Sequence, residues 1–381
     1  MKLSPRSTHA GAPTAGGTAA AALGTLAAGA AATTAQAADE QEEKLRKLID
    51  PLPSDDHQKV EQILEAILKA GSDAIARLIV MTGQEFGVAE GVKPKYAVHG
   101  LVHHVCRPGD DGRRKVVAQT LAKQFDYDHS DELKAFVCRQ LQFCGREDEI
   151  LALARLLDSE RLCEPATQAI SAIGGEKAAA ALRGALPDAT GGRRLTLVNA
   201  LGRLRDQAAA PEIRKDLGAE DADLRVVARF ALGNIGDADS ADALLKTAEG
   251  KPSYERDQAT DACLRLARAL GEEGKAADAE KICRKLMDMR KAEDEVHERC
   301  AALACLAEAL GVKVLGDVHE ALQSKDLWLR NATARTAVDV ARAIAKDHAA
   351  EAKKLLEKVL ESTEEEAVHE EAHVLLLELE G

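Results

Sequence analysis

The chain has 381 residues, 51 of them Lys or Arg and 64 Asp or Glu, for a formal charge of −13. A chain this acidic does not offer the basic face that phosphate binding requires, so nucleic acid is not the expected partner. Aromatic residues are 2% and apolar residues 46%; Ala, Leu and Val must therefore fill the interior, which favours closely packed helices over sheets.

Residues 1–37 carry Lys2 and Arg6, no acid, a weakly apolar stretch from Thr18 to Thr34, and then Ala35-Gln36-Ala37, a small-residue cleavage pattern. This segment reads as a signal peptide removed after Ala37, leaving a mature chain near about −15 whose expected location is periplasmic or extracellular. Ser4-Pro5-Arg6-Ser7 resembles a twin-arginine signal, with one arginine where that route uses two. No run approaches the ~20 apolar residues of a membrane span, so no membrane insertion is expected.

Downstream, apolar residues recur at helical spacing over 56–68, 72–81, 93–106 and 113–124. The third of these helices aligns Tyr96, His99, His103 and Cys106 on one stripe before Arg107-Pro108-Gly109 ends it. Three such ligands could hold a soft metal; the same stripe also reads as a helix interface or a partner contact.

The most regular stretch runs from about residue 134 to 250. Asp221 to Leu245 reads as a helix with Leu224, Val227, Ala228, Ala231, Leu232 and Ile235 on one face, a break at Gly236-Asp237, and a second helix that Ser240 can cap. Aligning Ala172, Ala200 and Ala231 gives steps of 28 and 31 residues, and Phe143 lies a further 29 upstream. A step near thirty is what two helices of about 11–12 residues and two short turns consume. Gly202 and Gly233 fall inside helices, where each costs about 1 kcal/mol relative to alanine, so they mark close helix contact. Two further pairs follow at 254–270 with 276–287 and 327–345 with 349–360, and the lone Trp328 is expected to pack between units.

Asp223, Arg225, Ala231-Leu232-Gly233 and Ile235-Gly236-Asp237 resemble the HEAT-like repeat of phycobilisome lyases. The resemblance implies an all-α fold, an α-solenoid of stacked two-helix HEAT-like repeats. It extends as a single array over 38–381, with the best repeats at 134–250 and a more irregular 251–381 in which the Gly271/Gly274 break also resembles tetratricopeptide units. In related repeats an arginine at the position of Arg225 bonds the acidic turn of a neighbour, which gives Arg225 a structural reading beside a recognition one. Arg194 stands at the equivalent position, Arg229 one turn beyond Arg225, and Arg139 extends the row.

Two further groups could carry chemistry. His369-Glu370-Glu371-Ala372-His373 satisfies H-E-x-x-H, a zinc pattern, but lies in the last helix with no chain beyond it for a third ligand. Val296 to Ala301, containing His297-Glu298, resembles the His-Glu helices of deoxyhypusine hydroxylase, a HEAT-like enzyme binding two irons. That family uses four such pairs; here there are three, His319-Glu320 included. Eight cysteines without a C-x-x-C read as small core residues, with one or two bridges between stacked helices left open.

The expected function is a non-enzymatic scaffold binding a protein partner, with no cofactor and no metal; the alternative is a metal-dependent enzyme built on the His/Glu clusters. The expected contact residues are Tyr96, His99, His103, Arg107, Arg139, Arg194, Arg225 and Arg229.

Overall fold

In the computed structural model the described residues are 39–84, 92–292 and 295–379, and among them there are helices and no strand. The proposed cleavage site after Ala37 lies outside them. The chain divides into two compact units, the first ending at Leu133 and the second beginning at Lys134.

The first unit contains α1 (39–49), α2 (His57–Ala70), α3 (Ser72–Gln84), α4 (Val92–Val105) and α5 (Asp111–Ala122). Of these, α2 to α5 match the four helices read from periodicity, and α1 was not among them. The Asp56 carboxylate accepts from the Lys59 amide at 3.1 Å to start α2, and Gly71, at φ 89°, ends it where a side chain would be strained. Ile67, Ile75, Leu78, Leu101 and Leu121 are fully buried where α2 to α5 meet.

The second unit follows the repeat. Its helices are α6 (Asp131–Cys144), α7 (Ile150–Ala154), α8 (Cys163–Ile173), α9 (Gly175–Ala185), α10 (Gly191–Arg203), α11 (Ala210–Ile213), α12 (Ala222–Ile235) and α13 (Ala241–Ala248). There follow α14 (Tyr254–Glu272), α15 (Ala276–Met289), α16 (Val296–Leu310), α17 (Leu315–Leu322), α18 (Leu327–Ile344), α19 (Ala349–Ser362) and α20 (Glu366–Glu378). The even-numbered helices from α8 to α20 pack each on the next, and the odd-numbered ones lie behind them, α13 on α14 and α19 between α18 and α20. Each pair leaves an apolar face that only the next pair can cover, which is the nearest-neighbour logic of an α-solenoid.

Small residues set the spacing. A Cβ on Gly202 would lie 2.5 Å from the Cα of Ala231, and one on Gly233 would lie 2.7 Å from the Ala262 carbonyl oxygen. The two glycines are thus where α10 meets α12 and α12 meets α14, as the sequence implied. The cysteines also serve as small core residues: Cys138, Cys144, Cys163, Cys263, Cys283 and Cys305 are buried, and Cys106 and Cys300 half-buried.

Two local expectations need correction. Ser240 does not cap α13; it is buried and donates its hydroxyl to the Asp237 carboxylate, while a 3₁₀ turn over Ala238–Ser240 leads into the helix. Trp328 does not pack between units. It is 79% exposed at the start of α18, where Asp326 caps the helix by accepting from the amides of Trp328 and Leu329.

Candidate functional site

The even-numbered layer carries a cleft. Counting back from the repeat glycines Gly145, Gly174, Gly202 and Gly233, the residue three earlier is Gln142, Ser171, Asn199 and Phe230, and the residue six earlier is Arg139, Gln168, Thr196 and Val227. Three and six residues are about one and two helical turns, so both rows fall on one side of their helices. Gln142, Gln168, Ser171, Thr196, Asn199 and Arg203 line a cleft of about 560 Å³ over α6, α8 and α10. Thr196 and Asn199 also line a second cleft, of about 350 Å³, that continues over α12 to Tyr254 of α14.

Amide and hydroxyl groups make up most of the polar wall, with Glu164, Arg203 and Asp223 as its ionic members. Gln142 donates to the side-chain Oε1 of Gln168 at 3.2 Å, and Gln168 donates to Glu164 at 3.1 Å. Asn199 is exposed, and the Ser171 hydroxyl oxygen is closed off from solvent without a hydrogen-bond partner. One aromatic ring lines the path: Tyr254, 68% exposed, stands in the second cleft. A carboxamide presents a donor and an acceptor side by side, which is the hydrogen-bonding complement of a peptide group.

The arginine row is occupied from within the fold. Arg194 donates to both oxygens of Asp216, at 2.8 and 3.0 Å, and to the Leu186 carbonyl at 2.9 Å. Arg225 donates to Glu255 at 2.8 and 2.5 Å and to the carbonyls of Ala219 and Glu220, which joins one repeat to the start of the next. The bond from Arg225 holds the Glu255 carboxyl below its ordinary range. Arg229 is 3% exposed, 3.5 Å from Glu255. These three guanidiniums tie repeats together and do not form an open strip; Arg139, exposed on α6, is the member of the row that faces solvent.

In the first unit Tyr96 is 40% exposed, and His99 and His103 are exposed on α4 with ring centroids 4.4 Å apart in a T-shaped contact. Partial burial, and then the neighbouring His99, disfavour charge on His103. Arg107 pairs with Glu61 at 2.7 Å. The buried imidazole of this helix is His104, which sequence reading passed over: its Nε2 lies 2.7 Å from Glu65, and Glu65 also takes Arg113 at 2.8 Å.

The other His and Glu groups have structural tasks. His369 bonds the Thr363 carbonyl oxygen, and its ring centroid is 6.4 Å from that of His373. Glu298 is buried against Arg290, and His297, with a 77% exposed side chain, brings its Nε2 to 3.9 Å from Glu298. Among the described residues no group of three or more His, Cys, Asp or Glu converges as a metal site would require. Among them, too, no helix is long and apolar enough to cross a membrane.

No family model matches the chain, and no curated protein sequence does. Solved structures do match. An engineered protein aligns over 88% of this chain and 99% of its own at 18% identity, with a TM-score of 0.38. The karyopherin Kap121p, in a mutant form, aligns over 88% of this chain and 43% of its own at 12% identity and TM-score 0.47. A chain of the complex of CpcE and CpcF of phycocyanin lyase from Nostoc aligns over 60% of this chain and 94% of its own at 21% identity and TM-score 0.33. This chain therefore spans less than half the length of Kap121p. The α-solenoid reading rests on the helix packing of the chain itself, and these likenesses say nothing of what it binds.

Proposed function

We propose that the chain is a non-enzymatic scaffold, acting in the cell envelope or outside the cell after removal of residues 1–37, and that it holds an extended segment of a protein partner. The observation that carries this reading is the row Gln142, Ser171 and Asn199, one polar side chain per repeat along a continuous cleft. An extended chain has an N–H and a C=O to satisfy at every residue, and neutral amides meet both without burying a charge. Partner specificity then falls to the other side chains of the lining: the Tyr254 ring and the charged groups of Glu164, Arg203 and Asp223.

Replacing Gln168 and Asn199 together by alanine tests the cleft. Each lost hydrogen bond is worth about 1 kcal/mol, so capture of the envelope partner should weaken by roughly ten- to a hundredfold. Melting should stay near normal, because surface substitutions of this kind stay within about 0.5 kcal/mol. Unchanged capture would remove the cleft from the account.

Location has its own test. N-terminal sequencing of the exported protein should give a chain starting at Ala38, because Ala35 and Ala37 occupy the small-residue positions before the acidic start at Asp39-Glu40. A mature chain that retains Met1 would contradict the envelope assignment.

A further inference from the structure

A cavity of about 970 Å³ lies away from the cleft, where the turn between α17 and α18 meets the turn between α19 and α20. Hydrogen bonds build its frame. Arg330 donates to the Ser324 carbonyl at 2.7 Å and to the Ser362 carbonyl at 2.9 Å, which ties the two turns together, and the Thr363 hydroxyl donates to the Asn331 side-chain oxygen at 3.0 Å. Charges of both signs in the lining are left over from this frame. Glu365 is taken by Arg335 at 2.6 Å, but among the described residues Lys358, Glu361 and Glu364 form no ion pair, and Arg330 bonds carbonyls instead of a carboxylate. Lys358 and Glu361 stand about one turn apart on α19, so the two signs share one wall. His319 of α17 adds no charge: burial, and then Lys358 and Lys354, disfavour its protonation, and its Nε2 is closed off without a hydrogen-bond partner. Leu322, Leu327 and Leu360 supply apolar surface to the same cavity, and Leu327 is 56% exposed.

A ligand of one sign would set its charge against either the two cations or the two carboxylates, whereas a zwitterion meets both. The volume is at the upper end of the roughly 300–1,000 Å³ of small-ligand sites, and the mixed lining offers apolar contact beside a few polar groups that fix orientation. We propose that this cavity is a binding site for a short apolar peptide with free ends. The peptide carboxylate accepts from Lys358 and from the Arg330 Nη2, which neither carbonyl takes, and the peptide ammonium donates to Glu361 and Glu364. Its side chains lie on Leu322, Leu327 and Leu360. The cleft over α6 to α14 would hold an internal segment of a chain; here the two termini are what is read, so this site does not rest on that one.

Isothermal titration of the full chain with trileucine provides the test. Saturable binding at one site is expected. Amidating the peptide's C-terminus should weaken it by about tenfold or more, and so should acetylating its N-terminus, since each removes a hydrogen bond between charged groups. Lys358→Gln should narrow the gap between the free acid and the amide, and Glu361→Gln with Glu364→Gln the gap between the free amine and the acetylated form. These side chains have no ion-pair partner among the described residues, so circular dichroism should find the variants melting as the parent does. The three peptide forms on the unaltered chain give a result that needs no variant. No saturable binding at millimolar trileucine, equal affinity for all three forms, or variants that discriminate among them as the parent does, would overturn the proposal.

Discussion

Gly202→Ala should destabilise the central repeats by about 1–3 kcal/mol, although alanine is the better helix former. The new methyl would sit 2.5 Å from the Cα and 2.6 Å from the Cβ of Ala231. Neither atom can rotate away, so α10 and α12 must separate and give up dispersion contacts along their whole interface. The helix-propensity gain of about 1 kcal/mol offsets only part of this. Gly184, in α9, provides the control, since a Cβ there meets nothing within 4 Å. Gly184→Ala should stabilise by about 0.5–1 kcal/mol, the propensity term with no clash. Urea unfolding followed by circular dichroism reads both. Equal signs for the two substitutions would mean that glycine does not set the helix spacing.

The second large effect concerns Arg290. Its guanidinium, 2% exposed, bonds Glu298, the Ala248 carbonyl at 2.8 Å and the Thr260 hydroxyl at 2.7 Å. Burial, then the nearby Arg256, depress its basicity. Arg290→Met leaves Glu298 buried with Arg256 at 3.7 Å and His297 at 3.9 Å as its more distant partners, and removing one partner of such a pair costs about 3–5 kcal/mol. Arg290→Met with Glu298→Met should cost less than Arg290→Met alone, because the orphaned charge goes too. A double-mutant cycle by chemical denaturation measures this; additive losses would show that Arg290 acts mainly through Ala248 and Thr260.

What the sequence made legible was local. Apolar periodicity located α2 to α5, and the repeat glycines marked where α10, α12 and α14 approach, because both are recorded within a single helix. Side chains that answer to a residue some thirty positions away were not legible in the same way. Arg225 reads alike whether it meets Glu255 or a partner, and only the stacking of α14 on α12 places Glu255 beside it. Trp328 looks like packing material by composition, yet the Asp326 cap starts α18 in a register that leaves it outside. The polar row of the cleft gave a weak signal that could have been used: Gln142, Ser171 and Asn199 hold one offset from the repeat glycine. His104 was hidden by its neighbour, since adjacent residues on a helix point about 100° apart and the stripe was drawn through His103.

The most direct measurement is site-specific photo-crosslinking from the cleft in the exporting cell. A photoreactive residue is placed in turn at Gln142, Ser171 and Asn199, and at Glu357, exposed on α19, as the control. Packed helices lie about 8–10 Å apart, and an extended chain advances about 3.3 Å per residue. The three cleft positions should therefore mark one polypeptide within one short segment, at sites about three residues apart and in the order of the repeats, and Glu357 should not mark it. Adducts scattered over unrelated sequences, or the same adducts from Glu357, would contradict the cleft as the place where this solenoid holds its partner.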